Sequence, residues 1–255
     1  MRVQYLGGPT ALLEIGGVRM LTDPTFDPPG EYPIGERVLT KTQGPALGPG
    51  RLGRVDAVLL SHDQHPDNLD RAGRECLKTV PVVFSTVAAR ERLGDPVRSL
   101  PVWGQTEVRG EGSAAIRVTG VPARHGPEGS EHLVGEVIGF VLSGPGLPTV
   151  YVSGDNASLE LVRLIAERLG PFDVALLSAG AAQTALAEGA FLTLTSELAA
   201  EAVRILGSPH TVALHFEGWA HYTQGADALL NAFQQAGLGD RLHVPEPGER
   251  IDLSH

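Results

Sequence analysis

The chain has 255 residues, 42% hydrophobic and 20% charged, with a formal net charge of −10. That apolar fraction supports a packed core and argues against disorder, while the acidic balance repels phosphate backbones and disfavours nucleic acid as a partner. One cysteine, Cys76, allows no intramolecular disulfide, the N-terminus lacks a secretory leader pattern, and no apolar run approaches the roughly 18 residues of a membrane span, so a cytoplasmic protein is expected.

The early chain reads as short strands. ALLEI and VRMLT flank Gly16-Gly17, a dipeptide suited to a tight hairpin. Residues 24–53 are rich in Pro and Gly without periodicity and read as a long loop, a feature that often covers active sites. The apolar run VDAVLL (55–60) reads as a buried strand that breaks into the polar cluster SHDQHPDNLD (61–70). PVVFS (81–85) is a further strand, followed by a short helix ending near Gly94. AAIRVTGVPA (114–123) leads into Arg124 and His125, and EVIGFVLSG pairs with PTVYVSGD (148–155) as a hairpin that delivers Asp155.

Strands and helices alternate thereafter. SLELVRLIAERLG (158–170) starts on the cap residue Ser158 and stops at Gly170-Pro171. FDVALLS (172–178) is a buried strand, TSELAAEAVRILG (195–207) a helix capped by Thr195, TVALH (211–215) a strand ending in His215, and ADALLNAFQQAG (226–237) a last helix. No linker or repeat interrupts the series, so residues 1–255 are read as one α/β domain.

Several apolar strands therefore end in groups that bind metals: His62, Asp63, His65 and Asp67 after the first, then His125, Asp155 and His215 after others. Ligands gather where strand ends leave a sheet, and imidazole with carboxylate is the usual hydrolytic zinc donor set. A single His after a strand is ordinarily a solvated turn residue, and an Asp after Ser-Gly is ordinarily a cap. Two His and two Asp within six positions are not explained by turn chemistry.

SHDQHPDNLD resembles the H-x-H-x-D-H motif of the metallo-β-lactamase superfamily. TDP (22–24), His125 after a strand, SGD (153–155) and HFEGWAH (215–221) match its other motifs in order, so the resemblance spans the chain. The branch it looks most like contains ascorbate-6-phosphate lactonase; a phosphodiesterase acting on N-acyl phosphatidylethanolamine is more distant. The resemblance implies a four-layer αββα sandwich of two mixed β-sheets with helices outside. It also implies one or two divalent ions, zinc with manganese as the alternative: His62, His65 and His125 on the first, Asp67 and His215 on the second, and Asp155 bridging. The catalytic roles it implies fall to Asp67, which orients a metal-bound hydroxide.

Two departures matter. His62 and His65 are separated by one residue too many. Counting forward from the strand makes His62 the first ligand, counting back from Asp67 makes it Asp63, and joint coordination stays open; imidazole favours His62. Asn68 stands where the family has its last His, and its neutral amide oxygen weakens zinc at the second site and tilts it toward manganese. His221 is the candidate proton donor to a leaving group, against an exposed loop His. Asp23 either orients a ligand His or serves the turn at Pro24; Arg124 either clamps an anion or lies on the surface. Trp219 is read as packing, and His132, His210, His243 and His255 receive no role.

The expected activity is metal-assisted hydrolysis of a small ester- or lactone-like substrate carrying an anionic group. The alternatives are a phosphodiesterase for a lipid or nucleotide, favoured by a basic pocket at Arg71, Arg74 or Arg124, and a non-catalytic metal-binding protein with a degenerate second site. Oligomeric state is not readable.

Overall fold

The computed structural model describes residues 1–110, 112 and 115–253; Ala114, at the start of one expected strand, and His255 lie outside them. In the first half, β1 (Arg2–Gly7), β2 (Thr10–Ile15) and β3 (Val18–Thr22) form an antiparallel meander. The hairpin β4 (Gly30–Ile34) and β5 (Arg37–Lys41) stands apart as a two-stranded sheet. β6 (Ala57–Leu59), α1 (Arg71–Leu77), β7 (Val83–Ser85), α2 (Val87–Leu93) and β8 (Val97–Ser99) then extend the meander in parallel beyond β3.

The second half repeats the plan. β9 (Gln105–Val108), β10 (Ile116–Pro122), β11 (Ile138–Ser143) and β12 (Val150–Val152) are antiparallel, with the short α3 (Glu131–Val134) between β10 and β11. α4 (Leu159–Leu169), β13 (Val174–Ser178), α5 (Ser196–Leu206), β14 (His210–Leu214), α6 (Ala226–Gln235) and β15 (Leu242–His243) continue in parallel, and β16 (Arg250–Asp252) returns to pair with β1. Each main sheet thus has seven strands and mixes both pairing modes.

Strands buried on both faces read as unbroken apolar runs, and here alternate residues divide cleanly. Leu13, Ile15, Met20, Ala57 and Leu59 join Val118, Phe140 and Leu142 in a core between the sheets. Leu12, Leu21, Val58 and Leu60 turn the other way, onto Cys76 and Leu77 of α1. Across the second sheet, Val162, Ile165, Val203 and Phe233 supply the apolar stripes of α4, α5 and α6. The result is the αββα sandwich expected from the sequence. The helix starts follow the expected capping: the Ser158 and Thr195 hydroxyls accept from the backbone N–H of Leu161 and Leu198.

One expectation is corrected. Residues 24–53 are not an unstructured loop, because they contain the β4–β5 hairpin. Its strands carry polar and exposed residues and one proline, Pro33, so they lack the alternation by which a strand is recognised. Lys41 and Trp219 form an isolated antiparallel bridge, flanked by Thr42 N–H to the Gly218 carbonyl at 2.8 Å and Ala220 N–H to the Thr40 carbonyl at 2.9 Å. This joins the hairpin to the loop that follows His215.

Candidate metal centre

Strand ends bring the expected residues together. His62, His65 and His125 form one group and Asp67, Asp155 and His215 another, with the ligand atoms in each group within 4.8 Å of one another and every residue buried. Close backbone packing sets two of them. Gly154, which precedes Asp155, has φ +56°, and a Cβ there would lie 2.7 Å from the Ile138 carbonyl. Gly180 has no room for a Cβ against the His215 carbonyl. His215 itself sits in the left-handed region at φ 57°, rare for a side chain of its size, and its N–H is tied to the Gly8 carbonyl at 2.8 Å.

The three-His group is organised by its outer nitrogens. His125 Nδ1 donates to the Leu192 carbonyl at 2.8 Å. Ser61 Oγ donates to Asp23 at 2.8 Å, which leaves it to accept from His62 Nδ1 at 2.9 Å. The Nε2 lone pairs of His62 and His125 then face His65 Nδ1 at 3.0 and 3.3 Å. The nitrogen–nitrogen edge of a tetrahedral zinc site with bonds of 2.0–2.1 Å is about 3.3 Å. Burial and the neighbouring rings hold His62 well below its ordinary value and His65 down to about 4, so both are neutral donors at pH 7.

In the second group His215 Nδ1 lies 2.9 Å from Asp155 Oδ1 and its Nε2 lies 3.3 Å from Asp67 Oδ2. Asp155 Oδ2 is 4.0 Å from His125 Nε2, so this carboxylate stands between the groups. The approaches are close but badly aligned: both ring nitrogens of His215, both oxygens of Asp155 and Asp67 Oδ1 are buried without a hydrogen-bond partner. Buried polar atoms without partners are costly. Donor atoms aimed at a shared point and not at each other suit a divalent cation, so the residues present fit the metal the fold implies.

Charge differs between the groups. Burial opposes protonation of His215, but Asp155 and Asp67 outweigh it and push the ring up to about 10. Burial disfavours the Asp67 and Asp155 carboxylates as well, yet the adjacent imidazoles hold both well below the usual range. A cation entering this group must displace the His215 proton, whereas His62 and His65 have none to release at pH 7. Calorimetric titration of metal-free protein at pH 7.5, in buffers of different ionisation enthalpy, is expected to show more proton release for the second group than for the first. Equal release from the two groups would contradict this assignment.

The remaining candidates separate. Asp63 is turned away: both its oxygens are engaged by Arg92, and Arg74 holds its backbone carbonyl at 2.7 Å. His62, not Asp63, joins the cluster. Asp23 touches Ser61 through both oxygens, receiving the backbone N–H at 2.6 Å, which places it behind His62 and not in a simple turn; burial and Asp155 push it up to about 7. Asn68 is fully buried, with Nδ2 3.5 Å from Asp23 Oδ2 and Oδ1 unpaired. His221 is not an exposed loop residue, since its Nε2 is 3.0 Å from Asp67 Oδ2. Arg124 is engaged by Ser158 at 2.8 Å and by Glu160 and Glu128 at 3.5 and 3.6 Å, which argues against its use as a clamp. Trp219 is buried against Tyr32. His210 and His243 contact each other, and His132 bonds the Gly129 carbonyl.

Tyr222 was not singled out by sequence. Its ring packs edge-on against His215 and His221, with centroids 4.6 and 4.5 Å away, and its hydroxyl is buried without a partner. Adjacency to the HFEGWAH segment was the only available signal.

A model of the beta-lactamase superfamily domain matches residues 18–216. The chain belongs to that superfamily. It is 27% identical over 259 residues to the UPF0173 metal-dependent hydrolase of Rubrobacter xylanophilus, covering 98% of this chain and 96% of that one. It is also 27% identical over 260 residues to the corresponding protein of Methanopyrus kandleri, covering 99% and 100%. Among solved structures, a possible metal-dependent hydrolase from Veillonella parvula superposes with a TM-score of 0.84 at 20% identity over 98% of both chains. An isothiocyanate hydrolase from Delia radicum gut bacteria gives 0.83 at 20% identity over 100% of both. These superpositions establish the metallo-β-lactamase fold for this superfamily member.

Proposed function

We propose that the chain is a metal-dependent hydrolase acting on a small ester- or lactone-like substrate, such as the branch containing ascorbate-6-phosphate lactonase would accept. The observation that carries this reading is the pair of adjoining buried His/Asp groups, in the second of which Asp67, Asp155 and His215 hold buried donor atoms without hydrogen-bond partners. The names of the two sequence relatives support the same class of activity.

In this reading His62, His65 and His125 hold one ion, Asp67 and His215 a second, zinc or manganese, and Asp155 reaches both. Such an ion lowers the pKa of water from 15.7 to about 7 and stabilises charge developing on the scissile oxygen. The chain's own part is to position and to move protons. Asp67 orients the attacking water. His221 carries a proton on Nε2, 3.0 Å from Asp67 Oδ2, and passes it to the departing oxygen. Asp23 and the Leu192 carbonyl fix the tautomers of His62 and His125. Asn68 contributes at most a neutral oxygen, which leaves the second group the weaker binder.

A phosphodiester substrate is less favoured, because each basic residue the sequence offered for it has a protein partner. Arg71 lies 3.6 Å from Asp27, Arg74 bonds the Asp63 carbonyl, and Arg124 is flanked by two glutamates. The test compares two variants by elemental analysis and by turnover of a chromogenic ester. His215→Ala is expected to lose metal and activity together. His221→Ala is expected to keep its metal and lose roughly 10²- to 10⁴-fold in kcat. Metal-loaded wild type that turns over neither esters, lactones nor phosphodiesters would leave a metal-binding protein without catalysis.

A further inference from the structure

His65 opens onto a cavity of about 540 Å³, within the range of small-molecule sites, and Gln64 and Arg37 line it too. Arg37 lies at the tip of the hairpin, paired with Ile34 across the two-residue turn Gly35-Glu36. At the other end of β5, Lys41 is locked to Asp70, so the strand that presents Arg37 is anchored. The guanidinium is steadied by one neutral partner, Nη1 donating to Thr184 Oγ1 at 2.8 Å. Thr184 belongs to the connection between β13 and α5 that also supplies the Leu192 carbonyl for His125. Arg37 thereby ties the hairpin tip to that connection.

Most cations around Arg37 are paired with a carboxylate, and Arg74 is held by the Asp63 backbone carbonyl. Lys41 has Asp70, Arg71 has Asp27, Arg92 has Asp63, and Arg124 has Glu128 and Glu160. Among the described residues, no carboxylate lies within ion-pair distance of Arg37. Glu36 and Glu131 line the cavity but are solvent-exposed and form no ion pair with it. A guanidinium carries five N–H donors in a planar fork that matches carboxylate and phosphate. Thr184 occupies one position of that fork. In a chain of net charge −10, an anionic compound is repelled from most of the surface, so a guanidinium at the cavity with no carboxylate in ion-pair contact is a place for its charge.

We propose that Arg37 is the specificity-determining residue of this site, and that the substrate carries a carboxylate or phosphate that binds its guanidinium while the scissile bond lies at the His/Asp cluster. The proposal rests on the hydrolase reading above and adds the residue that receives the substrate's charge and the orientation that follows. It makes the hairpin a recognition element, its second strand delivering one cation to the cavity.

Two measurements test it. The first is the ratio of kcat/KM for 4-nitrophenyl hydrogen glutarate to that for the neutral 4-nitrophenyl pentanoate, in wild type, Arg37→Met and Arg37→Lys. Wild type is expected to prefer the anionic ester. Arg37→Met is expected to cut that preference on the order of 10- to 100-fold, the loss of one charge-assisted interaction, and Arg37→Lys to retain part of it. The second is calorimetric binding of glutarate and of inorganic phosphate to the metal-loaded proteins. At least one is expected to bind the wild type and to weaken tenfold or more in Arg37→Met, and which one does so separates a carboxylate from a phosphate ligand. An unchanged ester preference, or equal affinity of both proteins for both anions, overturns the role of Arg37. Failure of the wild type on both esters counts against the ester reading instead, and anion binding still decides for or against Arg37.

Discussion

Asp155→Ala is expected to empty both halves of the cluster at once, with a loss of metal affinity and turnover larger than the 10- to 100-fold that removal of an outer-shell partner costs. Asp155 is fully buried at the end of β12, 2.9 Å from His215 and 4.0 Å from His125. In the proposed assignment its loss would remove one donor from each ion. It also removes the larger of the two carboxylate influences that keep His215 protonated before metal enters, so Asp67 alone then opposes burial and the pKa of that ring falls. Elemental analysis after loading and dialysis reads the first effect, and ester turnover the second. Circular dichroism separates both from misfolding. If Asp155→Ala retains the wild-type metal content, the carboxylate does not bridge, and the two groups of donors are independent sites.

The site was legible where the chain itself marks it. An apolar run that stops abruptly at His or Asp records a strand end, and the end of a strand is where side chains from distant segments meet; hence His62, His65, Asp67, His125, Asp155 and His215 were all readable. The choice between His62 and Asp63 was not, because spacing alone leaves both in reach of the same point. In the structure Arg92 on α2 engages the Asp63 carboxylate and turns it from the cluster, a contact across 29 residues that no local pattern announces. Tyr222 escaped notice because its interest lies in burial of the hydroxyl, a property of the fold. The hairpin escaped for the opposite reason. Its strands bury few side chains, so no periodicity betrays them, and ion pairing and backbone bridges to the His215 loop hold it where apolar packing does not.

The same anchorage gives the largest expected effect on stability. Lys41 and Asp70 are 4% and 0% exposed, with Nζ 3.1 Å from Oδ2. Burial lowers the Lys41 pKa and Asp70 only partly restores it, so the pair does not fully recover its desolvation. Asp70 is also the N-cap of α1, accepting from Gly73 N–H at 2.8 Å, and it receives Asp27 N–H at 2.6 Å. Removing the lysine charge leaves this carboxylate buried and without a counter-ion, which costs about 3–5 kcal/mol. An exposed pair such as Lys78–Glu75 contributes only about 0–1 kcal/mol. Lys41→Met, which keeps the apolar stem, is therefore expected to destabilise the protein in urea at pH 7 by a sizeable part of a typical 5–15 kcal/mol. Lys41 Nζ also lies 5.5 Å from the Trp219 ring, so tryptophan fluorescence should report the loosened hairpin. Pairing the variant with Asp70→Asn should recover much of the loss, because no buried charge then stands alone. A cost below about 1 kcal/mol for Lys41→Met would place the pair with the surface contacts and leave the hairpin held by its backbone bridges.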